Sequence, residues 1–570
     1  MENKNKDVVL FGEVNYRNQR SRFGIKQGDR DRHMYVIGKT GMGKTELLKN
    51  MAIQDMQAGR GVAFLDPHGD TADDLPNFVP KERIKDIIIF DPSDLDFPIA
   101  FNVMEQVDDR FRHLVASGLL SVFKKVFGVE VFSARMEYIL NNTILALLEF
   151  PGATILGINR MLADKPYREA VVEKISDPLV KAFWTQEFAK YTDRLAAEAT
   201  SSVQNKVGQF TASSLIRNIL GQVKSTLNVR RVMDEKKILI MNLAQGKIGE
   251  DVSRLLGAMM ITKIQLAAMS RADISEKDRV PFYLYVDEFQ NFATDSFANI
   301  LSQARKFALN LIIAHQYVAQ MEETVQDAVF GNVGTIVALR VGAPDAEVLE
   351  KEFAPVFTAN DLVNLAKWTM YLKLMIDGVA PPPFSANTLP PLPWPEISYK
   401  EEIIQFSRRE YAHPRTEVER QIGEWSAAMF GLGPSVYRRP NQMPSEQPIS
   451  PTVPRRFEYQ GQPNAVSPLP DTSPHLRPIT PRVGTGIERL PQRSGGALPQ
   501  RKATPMPPRS LTEAFKTGPI DFRGRPISRK EEDKKHLFGP TKQKPVVNTG
   551  DLKQTLEGIL SKHDKDKASS

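Results

Sequence analysis

The chain has 570 residues, a formal net charge of +7 and a pI of about 9.1, and 41% of its residues are hydrophobic. This length predicts two to four domains, and the hydrophobic fraction is sufficient for a large core. The absence of cysteine excludes a disulfide framework and any cysteine-ligated metal. The basic balance favours a polyanionic partner such as nucleic acid.

The N-terminus is polar and is not followed by the apolar segment of a secretory signal. No stretch reaches the roughly 18 uninterrupted apolar residues that a membrane-spanning helix needs. The most apolar window, residues 255–269, contains Lys263 and Gln265 and is predicted to be a buried amphipathic helix. We therefore expect a cytoplasmic protein that reaches the inner membrane only through partners.

The first motif that carries chemistry begins at residue 34. Residues 34–37 predict a strand, residues 46–56 predict a helix, and a glycine-rich loop joins them. The loop consists of Gly38, Lys39, Thr40, Gly41, Met42, Gly43, Lys44 and Thr45. This order is that of a P-loop, whose backbone N–H groups and helix N-terminus bind phosphates. We expect Lys44 to reach the β- and γ-phosphates of ATP and Thr45 to ligate Mg²⁺.

The next elements predict an interrupted α/β sheet. Residues 62–66 and 87–91 are short apolar strands, and their alternation with helices predicts a parallel sheet with ligands at the strand carboxyl ends. Residues 101–232 show helical periodicity and no convincing strand, which predicts an all-helical insertion. Further strands are predicted at residues 237–243, 283–287, 309–315, 335–341 and 368–375.

Two acids end the strand that begins near residue 283. Asp287 is the expected anchor for Mg²⁺, and Glu288 stands where a carboxylate can polarise the attacking water. A nucleotide-binding switch needs no such base, so the pair predicts ATP hydrolysis.

Two further polar residues flank the strand at residues 309–315. Gln316 ends this strand, which we expect beside both phosphate-binding strands, and it can contact the γ-phosphate. Arg305 precedes the strand, too far from its own P-loop to be needed there, and is suited to reach a neighbouring subunit's nucleotide. Arginine fingers supplied in trans accelerate hydrolysis by about 10³–10⁵. The alternative is a solvated arginine and a strand-capping glutamine.

The composition changes near the C-terminus. Residues 396–432 predict two short helices. From Gly433 onward the chain is rich in Pro, Ser, Thr, Gln and Arg. This segment contains roughly half of the 40 prolines of the chain. Such a segment cannot bury enough apolar surface to offset its ordering entropy, so residues 433–570 are predicted to be disordered.

As a set, these motifs resemble the coupling-protein ATPases of type IV secretion and conjugation. This TraG/TraD-like group lies within the HerA–FtsK group of P-loop motors. The resemblance covers about residues 5–395. It is carried by residues 38–45, 66–70 (Asp-Pro-His-Gly-Asp), 286–290, 304–307, 314–316, 331–332 and 336–340.

The resemblance implies a RecA-like P-loop fold with an inserted helical domain, and a ring, expected to be a hexamer, with ATP between subunits and DNA through its centre. It implies DNA-dependent ATP hydrolysis that pumps DNA, often with an attached protein, toward a secretion channel. Arg305 falls at the family's arginine-finger position, and Arg340 is a second candidate for a contact in trans. Many coupling proteins begin with transmembrane helices, whereas this chain resembles the soluble members.

The predicted domains follow from these elements. Residues 1–100 and 233–395 are the two parts of the ATPase domain, separated by the helical domain at 101–232 and followed by the helical extension at 396–432 and the tail at 433–570. We expect the tail to contact secretion-channel or relaxosome proteins.

DNA binding is expected to be independent of base sequence, because no zinc finger, RNP motif or aromatic stacking array is evident. The candidate phosphate contacts are basic residues of the N-terminal segment and the pair Lys124 and Lys125. The segment's basic residues are Lys4, Lys6, Arg17, Arg20, Arg22, Lys26, Arg30 and Arg32. Two alternatives to a coupling ATPase stay open: a HerA-like helicase or repair translocase, and an ATP-gated platform that recruits protein substrates without moving DNA.

Overall fold

The computed structural model describes residues 7–16, 19–105 and 107–429. The predicted disordered tail at 433–570 lies outside the described residues. Eleven strands form one mixed sheet. They are β1 (Val8–Tyr16), β2 (Gln19–Lys26), β3 (Met34–Ile37), β4 (Gly61–Asp66), β5 (Ile87–Phe90), β6 (Ile238–Asn242), β7 (Phe282–Val286), β8 (Leu309–His315), β9 (Thr335–Ala338), β10 (Thr369–Lys373) and β11 (Phe384–Thr388).

The sheet has a parallel part and an antiparallel part. Its strand order is β2-β1-β11-β10-β9-β3-β8-β7-β4-β6-β5. From β9 to β5 all neighbouring strands are parallel. From β9 back to β2 all pairings are antiparallel. Strand β8 therefore lies between β3 and β7, as the sequence predicts for the strand that Gln316 follows.

Most of the α-helices lie between these strands in the chain, and the last two follow β11. They are α1 (Lys44–Gln57), α2 (Asp70–Asp74), α3 (Arg112–Phe127), α4 (Ala134–Glu149), α5 (Gly157–Ala163), α6 (Lys165–Lys174), α7 (Pro178–Ala182), α8 (Asp193–Ala212), α9 (Ser214–Leu220), α10 (Val229–Asp234), α11 (Gln245–Ile248), α12 (Glu250–Ser270), α13 (Asp295–Gln303), α14 (Glu323–Asn332), α15 (Ala343–Phe353), α16 (Ala359–Val363), α17 (Lys400–Tyr411) and α18 (Arg415–Met429).

The central strands are covered by helices on both faces. All residues of β3 are buried, and its side chains alternate between two cores. Met34 and Val36 belong to the core that contains the apolar side of α1. Tyr35 and Ile37 belong to the core on the opposite face, which contains residues of α12, α13 and α14. The predicted fold class, a P-loop α/β sheet flanked by helices with a helical insertion, is confirmed.

The helical insertion is continuous with one face of this sheet. In the described residues between β5 and β6 there are helices α3 to α10 and no strand. Their apolar residues share one core with the sheet, and α3 packs closely on α12. A Cβ at Gly118 of α3 would lie only 2.7 Å from Thr262 Cγ2 of α12. The domain boundaries drawn from the sequence stay a prediction.

Three strands, β1, β2 and β11, were not predicted individually from the sequence. They form the antiparallel wing together with β10. Arg30 was expected to be a candidate contact for DNA phosphates, and this expectation is wrong. The residue lies in the turn that follows β2 and is only 2% exposed. Its guanidinium donates to Asp55 at 2.8 and 2.7 Å. Arg30 is therefore a structural residue, whereas Arg20 and Arg22 on β2 are exposed.

The last two described helices connect the sheet to the helical insertion. Ser407 of α17 accepts the Ile89 N–H of β5 at 2.9 Å through its hydroxyl. The Arg160 guanidinium of α5 lies 5.5 Å from the Trp425 ring of α18. The C-terminal extension thus packs against both parts.

One helical segment in the described part of the chain, Glu250–Asp273, is long and apolar enough to cross a membrane by length and composition. Within the fold 67% of its apolar window is buried. It is therefore accounted for as a core helix, as predicted for residues 255–269.

Candidate functional site

The phosphate-binding loop leaves β3 and enters α1 directly. Gly41 and Gly43 have φ angles of 75° and 108°, in the left-handed region that favours glycine. A Cβ at Gly38 would lie 2.6 Å from Leu339 Cβ, so this glycine is needed for close packing against the segment after β9. A Cβ at Gly41 would meet nothing within 4 Å. Gly41 is exposed, so the loop is open to solvent at the N-terminus of a 14-residue helix, where an anion is favoured.

The Lys44 side chain extends from the start of α1 back to the first residue of the loop. Its side chain is 5% exposed, and its Nζ donates to the Gly38 carbonyl at 2.8 Å. The same Nζ lies 3.6 Å from Glu288 Oε1, too long for a strong hydrogen bond. A buried ammonium group with an incomplete set of partners is suited to receive phosphate oxygens.

Thr45 and Asp287 meet although they are far apart in sequence. The Thr45 hydroxyl donates to Asp287 Oδ2 at 2.6 Å. Asp287 is fully buried. Burial raises the pKa of Asp287 to about 6, helped by the neighbouring Glu288 and Asp66 and opposed by the hydrogen bond from Thr45. A carboxylate in such an environment is stabilised by a nearby cation.

Glu288 stands on a strained backbone beside Lys44. Its φ is 43°, which for a residue other than glycine costs roughly 1–2 kcal/mol. The residue is 7% exposed, and Gln290 Nε2 donates to its Oε2 at 2.9 Å. The amide holds one carboxylate oxygen, and the other oxygen faces the loop. Strain of this kind is concentrated at functional sites.

Gln316 reaches the loop from β8. His315, the last residue of β8, is in register with Ile37 of β3, so Gln316 lies beside the start of the loop. The Gln316 side-chain amide donates to the Thr40 hydroxyl. Sequence analysis predicted a contact with the γ-phosphate, and the side chain lies at the loop that would hold it.

His315 orients the segment that contains Gln316. Its Nε2 donates to the Tyr317 carbonyl, so its Nδ1 accepts the Tyr35 hydroxyl, 2.9 Å away. Burial lowers the pKa of His315 to about 4, which keeps the ring neutral at physiological pH. The ring is thereby held between β3 and the residue after Gln316.

The donor set fits a nucleotide–magnesium complex better than a metal held by protein alone. No group of three or more His, Asp or Glu side chains in the described residues could hold a metal ion. Mg²⁺ commonly takes one or two protein ligands together with substrate phosphates. Thr45 and Asp287 provide such a pair next to the open loop.

Comparison with known proteins identifies the family. The sequence model of the type IV secretion-system coupling protein DNA-binding domain matches residues 21–353, more than half of the chain. The chain belongs to this coupling-protein family. The resemblance inferred from the motifs is confirmed. No curated protein sequence matches the chain.

Solved structures show a distant likeness to this coupling protein. The bacterial conjugative coupling protein TrwBdeltaN70, in its unbound monoclinic form, has 15% identity, covers 65% of this chain and 88% of its own, and has a TM-score of 0.47. The plasmid coupling protein TrwB with ADP and Mg²⁺ has the same identity and coverage and a TM-score of 0.48. VirB4 of Thermoanaerobacter pseudethanolicus has 13% identity, covers 69% of this chain and 98% of its own, and has a TM-score of 0.47.

Two arginines of the present chain lie at different distances from its phosphate-binding loop. Arg305 is exposed in the turn Ala304–Phe307 that precedes β8. Strand β8 has seven residues, or about 20 Å, so Arg305 is near the edge of the sheet opposite the loop. Arg340 is close to the loop instead, because its carbonyl accepts the Lys39 N–H at 2.8 Å. The structure thus brings Lys44, Thr45, Asp287, Glu288 and Gln316 together and leaves Arg305 outside.

Sequence analysis assigned no role to two residues of the candidate site, Gln290 and His315. Gln290 lies within a motif segment, two residues after Glu288, but its bond to Glu288 depends on the turn at Phe289–Asn291. His315 also lies within a motif segment, residues 314–316, but the sequence assigned it no role of its own. Its role depends on Tyr35, a residue far away in sequence.

Proposed function

We propose that this coupling protein is an ATP-hydrolysing DNA translocase that moves DNA toward a type IV secretion channel. The observation that carries the proposal is the convergence of Lys44 and Glu288, 3.6 Å apart and both buried, at an open P-loop. A mere nucleotide-binding switch needs the lysine but not the glutamate. Family membership supports DNA as the polymer that is moved.

The residues of the site have different roles in ATP hydrolysis. ATP supplies the phosphoanhydride bond whose cleavage drives movement, and Mg²⁺ offsets the charge of its phosphates. The loop N–H groups and Lys44 bind the phosphates, and Thr45 and Asp287 hold the metal side of the site. Glu288, kept in place by Gln290, orients a water and accepts its proton.

Gln316 couples the site to the rest of the chain. Its amide contacts Thr40 of the loop, and the segment after it is tied to β3 through His315. Loss of the γ-phosphate would change the hydrogen-bond partners available to Gln316. This change would be passed to the turn after β8, which is how one step of hydrolysis would produce movement.

We further propose a ring, expected to be hexameric, in which Arg305 reaches the nucleotide of a neighbouring subunit. The exposure of Arg305 and its distance from its own loop support this role. In this arrangement the protein acts on the cytoplasmic side of the membrane and is docked there by partners. DNA contacts would be to phosphates and would weaken steeply with salt.

The test is steady-state ATP hydrolysis without DNA, with single-stranded DNA and with double-stranded DNA. We expect strong stimulation by one DNA form. Glu288→Gln should lower turnover by about 10²–10⁴ while retaining ATP binding, and Lys44→Ala should lose both. Hydrolysis that is indifferent to DNA would instead favour the ATP-gated recruitment platform. Full turnover by Glu288→Gln would show that the base lies elsewhere.

A further inference from the structure

A tryptophan lies against the phosphate loop on the side away from the catalytic acids. Trp368 directly precedes β10, and a Cβ at Gly43 would lie 3.3 Å from its Cδ1. Strands β9 and β10 are on one side of β3, whereas β8 and β7, which carry Gln316 and Asp287, are on the other. The indole thus borders Gly43, the last glycine of the loop, on the side away from the residues that are expected to face the γ-phosphate.

Trp368 is exposed where an indole would ordinarily be buried. It is 56% exposed, although tryptophan is highly buried on average. Its φ is 65°, a left-handed conformation that is a genuine outlier for a bulky residue. Because such outliers are concentrated at ligand-binding and active sites, this one calls for a functional explanation.

The strained backbone is held by β11. Thr388 donates to the Trp368 carbonyl from its backbone N–H at 2.9 Å, and its hydroxyl is 3.4 Å from the same oxygen. The Lys367 ammonium lies 4.4 Å from the indole centroid. One face of the ring is therefore covered by a cation, and a planar ligand would approach the other face.

We propose that Trp368 is the platform on which the purine base of the bound nucleotide stacks. This inference rests on the proposed nucleotide binding at Gly38–Thr45. With the terminal phosphate directed toward Glu288 and Gln316, the base must leave the loop on the opposite side, where Trp368 stands. Since stacking needs only a π-face, the platform accepts adenine and guanine alike.

A purely structural role makes a different prediction. If Trp368 only packed against Gly43 to shape the loop, its removal would weaken every phosphate ligand equally. A stacking platform affects only ligands that carry a base. Inorganic tripolyphosphate, which has the phosphates without the base, therefore separates the two roles.

The experiment is calorimetric titration of the full chain with Mg–ATP and with Mg–tripolyphosphate. The variants are Trp368→Ala, Trp368→Phe and the matched control Trp394→Ala, which removes another exposed indole, one that lies 5.3 Å from the Phe78 ring. We expect Trp368→Ala to raise the Kd for ATP about tenfold with an unchanged Kd for tripolyphosphate. Trp368→Phe should restore most of the affinity, and Trp394→Ala should resemble the wild type.

Two outcomes would overturn the platform alone. These are an equal loss for both ligands, which indicates a structural role, and no loss for ATP, which leaves the base elsewhere. Failure of the wild-type chain to bind either ligand would overturn the proposed function itself, and the platform with it.

Discussion

Helix α1 carries a buried cluster of charges near each of its ends. At its start, Lys44 is 3.6 Å from Glu288, and Thr45 donates to Asp287. Near its end, Asp55 accepts two hydrogen bonds from Arg30 at 2.8 and 2.7 Å. It also accepts from Arg60 at 2.9 Å and from the Tyr285 hydroxyl at 2.6 Å.

The two clusters differ in whether the protein itself satisfies their charges. Both contain a fully buried carboxylate, Asp55 in one and Asp287 in the other, but Asp55 accepts hydrogen bonds from two arginines and a tyrosine hydroxyl. At the other end, burial and the neighbouring Glu288 and Asp66 raise the pKa of Asp287 to about 6, and the hydrogen bond from the Thr45 hydroxyl opposes this shift only in part. A closed cluster, whose charges are paired within the protein, stabilises the fold. An open cluster lacks some of its charge and hydrogen-bond partners, and a bound ligand can supply them.

Arg305 provides the largest expected effect, because it would extend the open cluster across a subunit boundary. Arg305→Ala should lower ATP turnover by about 10³-fold while ATP binding is retained, since a finger in trans contributes in the transition state. The measurement is steady-state hydrolysis together with equilibrium ATP binding. Lys306→Ala, which removes the neighbouring exposed cation, is the control and should retain turnover.

A mixing experiment sharpens this assignment. Subunits with Arg305→Ala and subunits with Lys44→Ala should regain some turnover when combined, because an intact site can then form between them. Absence of any recovery, or full turnover by Arg305→Ala alone, would show that Arg305 is only a solvated residue.

Arg30 tests whether the closed cluster is structural only. Arg30→Met should lower the free energy of unfolding by about 3 kcal/mol, because removing one partner leaves a buried carboxylate undercompensated. ATP affinity of the folded protein should not change. Urea denaturation and ATP titration are the two measurements. If Arg30→Met weakened ATP binding as strongly as Lys44→Ala, the two ends of α1 would not be independent.

The control for this prediction is an arginine in an exposed cluster. Arg420 of α18 pairs with Glu417 and Glu424 at 2.6 and 2.5 Å, all in solvent. Because surface ion pairs are screened, Arg420→Met should have no measurable effect on stability.

Apart from the control, His33 gives the smallest effect, and it tests the burial of a neutral polar group near the closed cluster. Its Nε2 contacts the Leu301 carbonyl at 3.2 Å, and its Nδ1 accepts the Leu311 N–H at 3.2 Å. Burial lowers the pKa of His33 to about 4. The unfolded chain, with an ordinary histidine pKa of about 6.5, then binds more protons than the folded chain between these two values.

Stability should therefore fall as the pH falls from about 6.5 toward 4. At pH 5 the loss from His33 is about 2 kcal/mol relative to pH 7.5. His33→Asn removes the titrating group, and its side-chain oxygen can still accept the Leu311 N–H. Urea denaturation at both pH values should show a weaker pH dependence in the variant. An unchanged dependence would contradict the assignment.

The three strands that carry the site, β3, β7 and β8, were predictable because each is a short apolar run followed by a polar or glycine residue. Strand β8 has the predicted bounds, and the strands that carry the P-loop and Asp287 differ from prediction by one residue or less. Strands β1, β2 and β11 are different, since they lie in an antiparallel wing with exposed and half-buried positions. Their pairing is decided by distant partners.

The sequence by itself determined the P-loop, its acids and the family, because contiguous motifs and the rule that parallel strands end at one edge need no tertiary contact. Only the tertiary structure decided which charges are open and which are closed. Arg30 was expected to be a cation for DNA and is instead paired with Asp55, which α1 brings to it. Trp368 carried no signal until β11 and the loop placed it beside Gly43. Burial and partner geometry are properties of packing between distant segments, and they convert identical residue types into structural or functional ones.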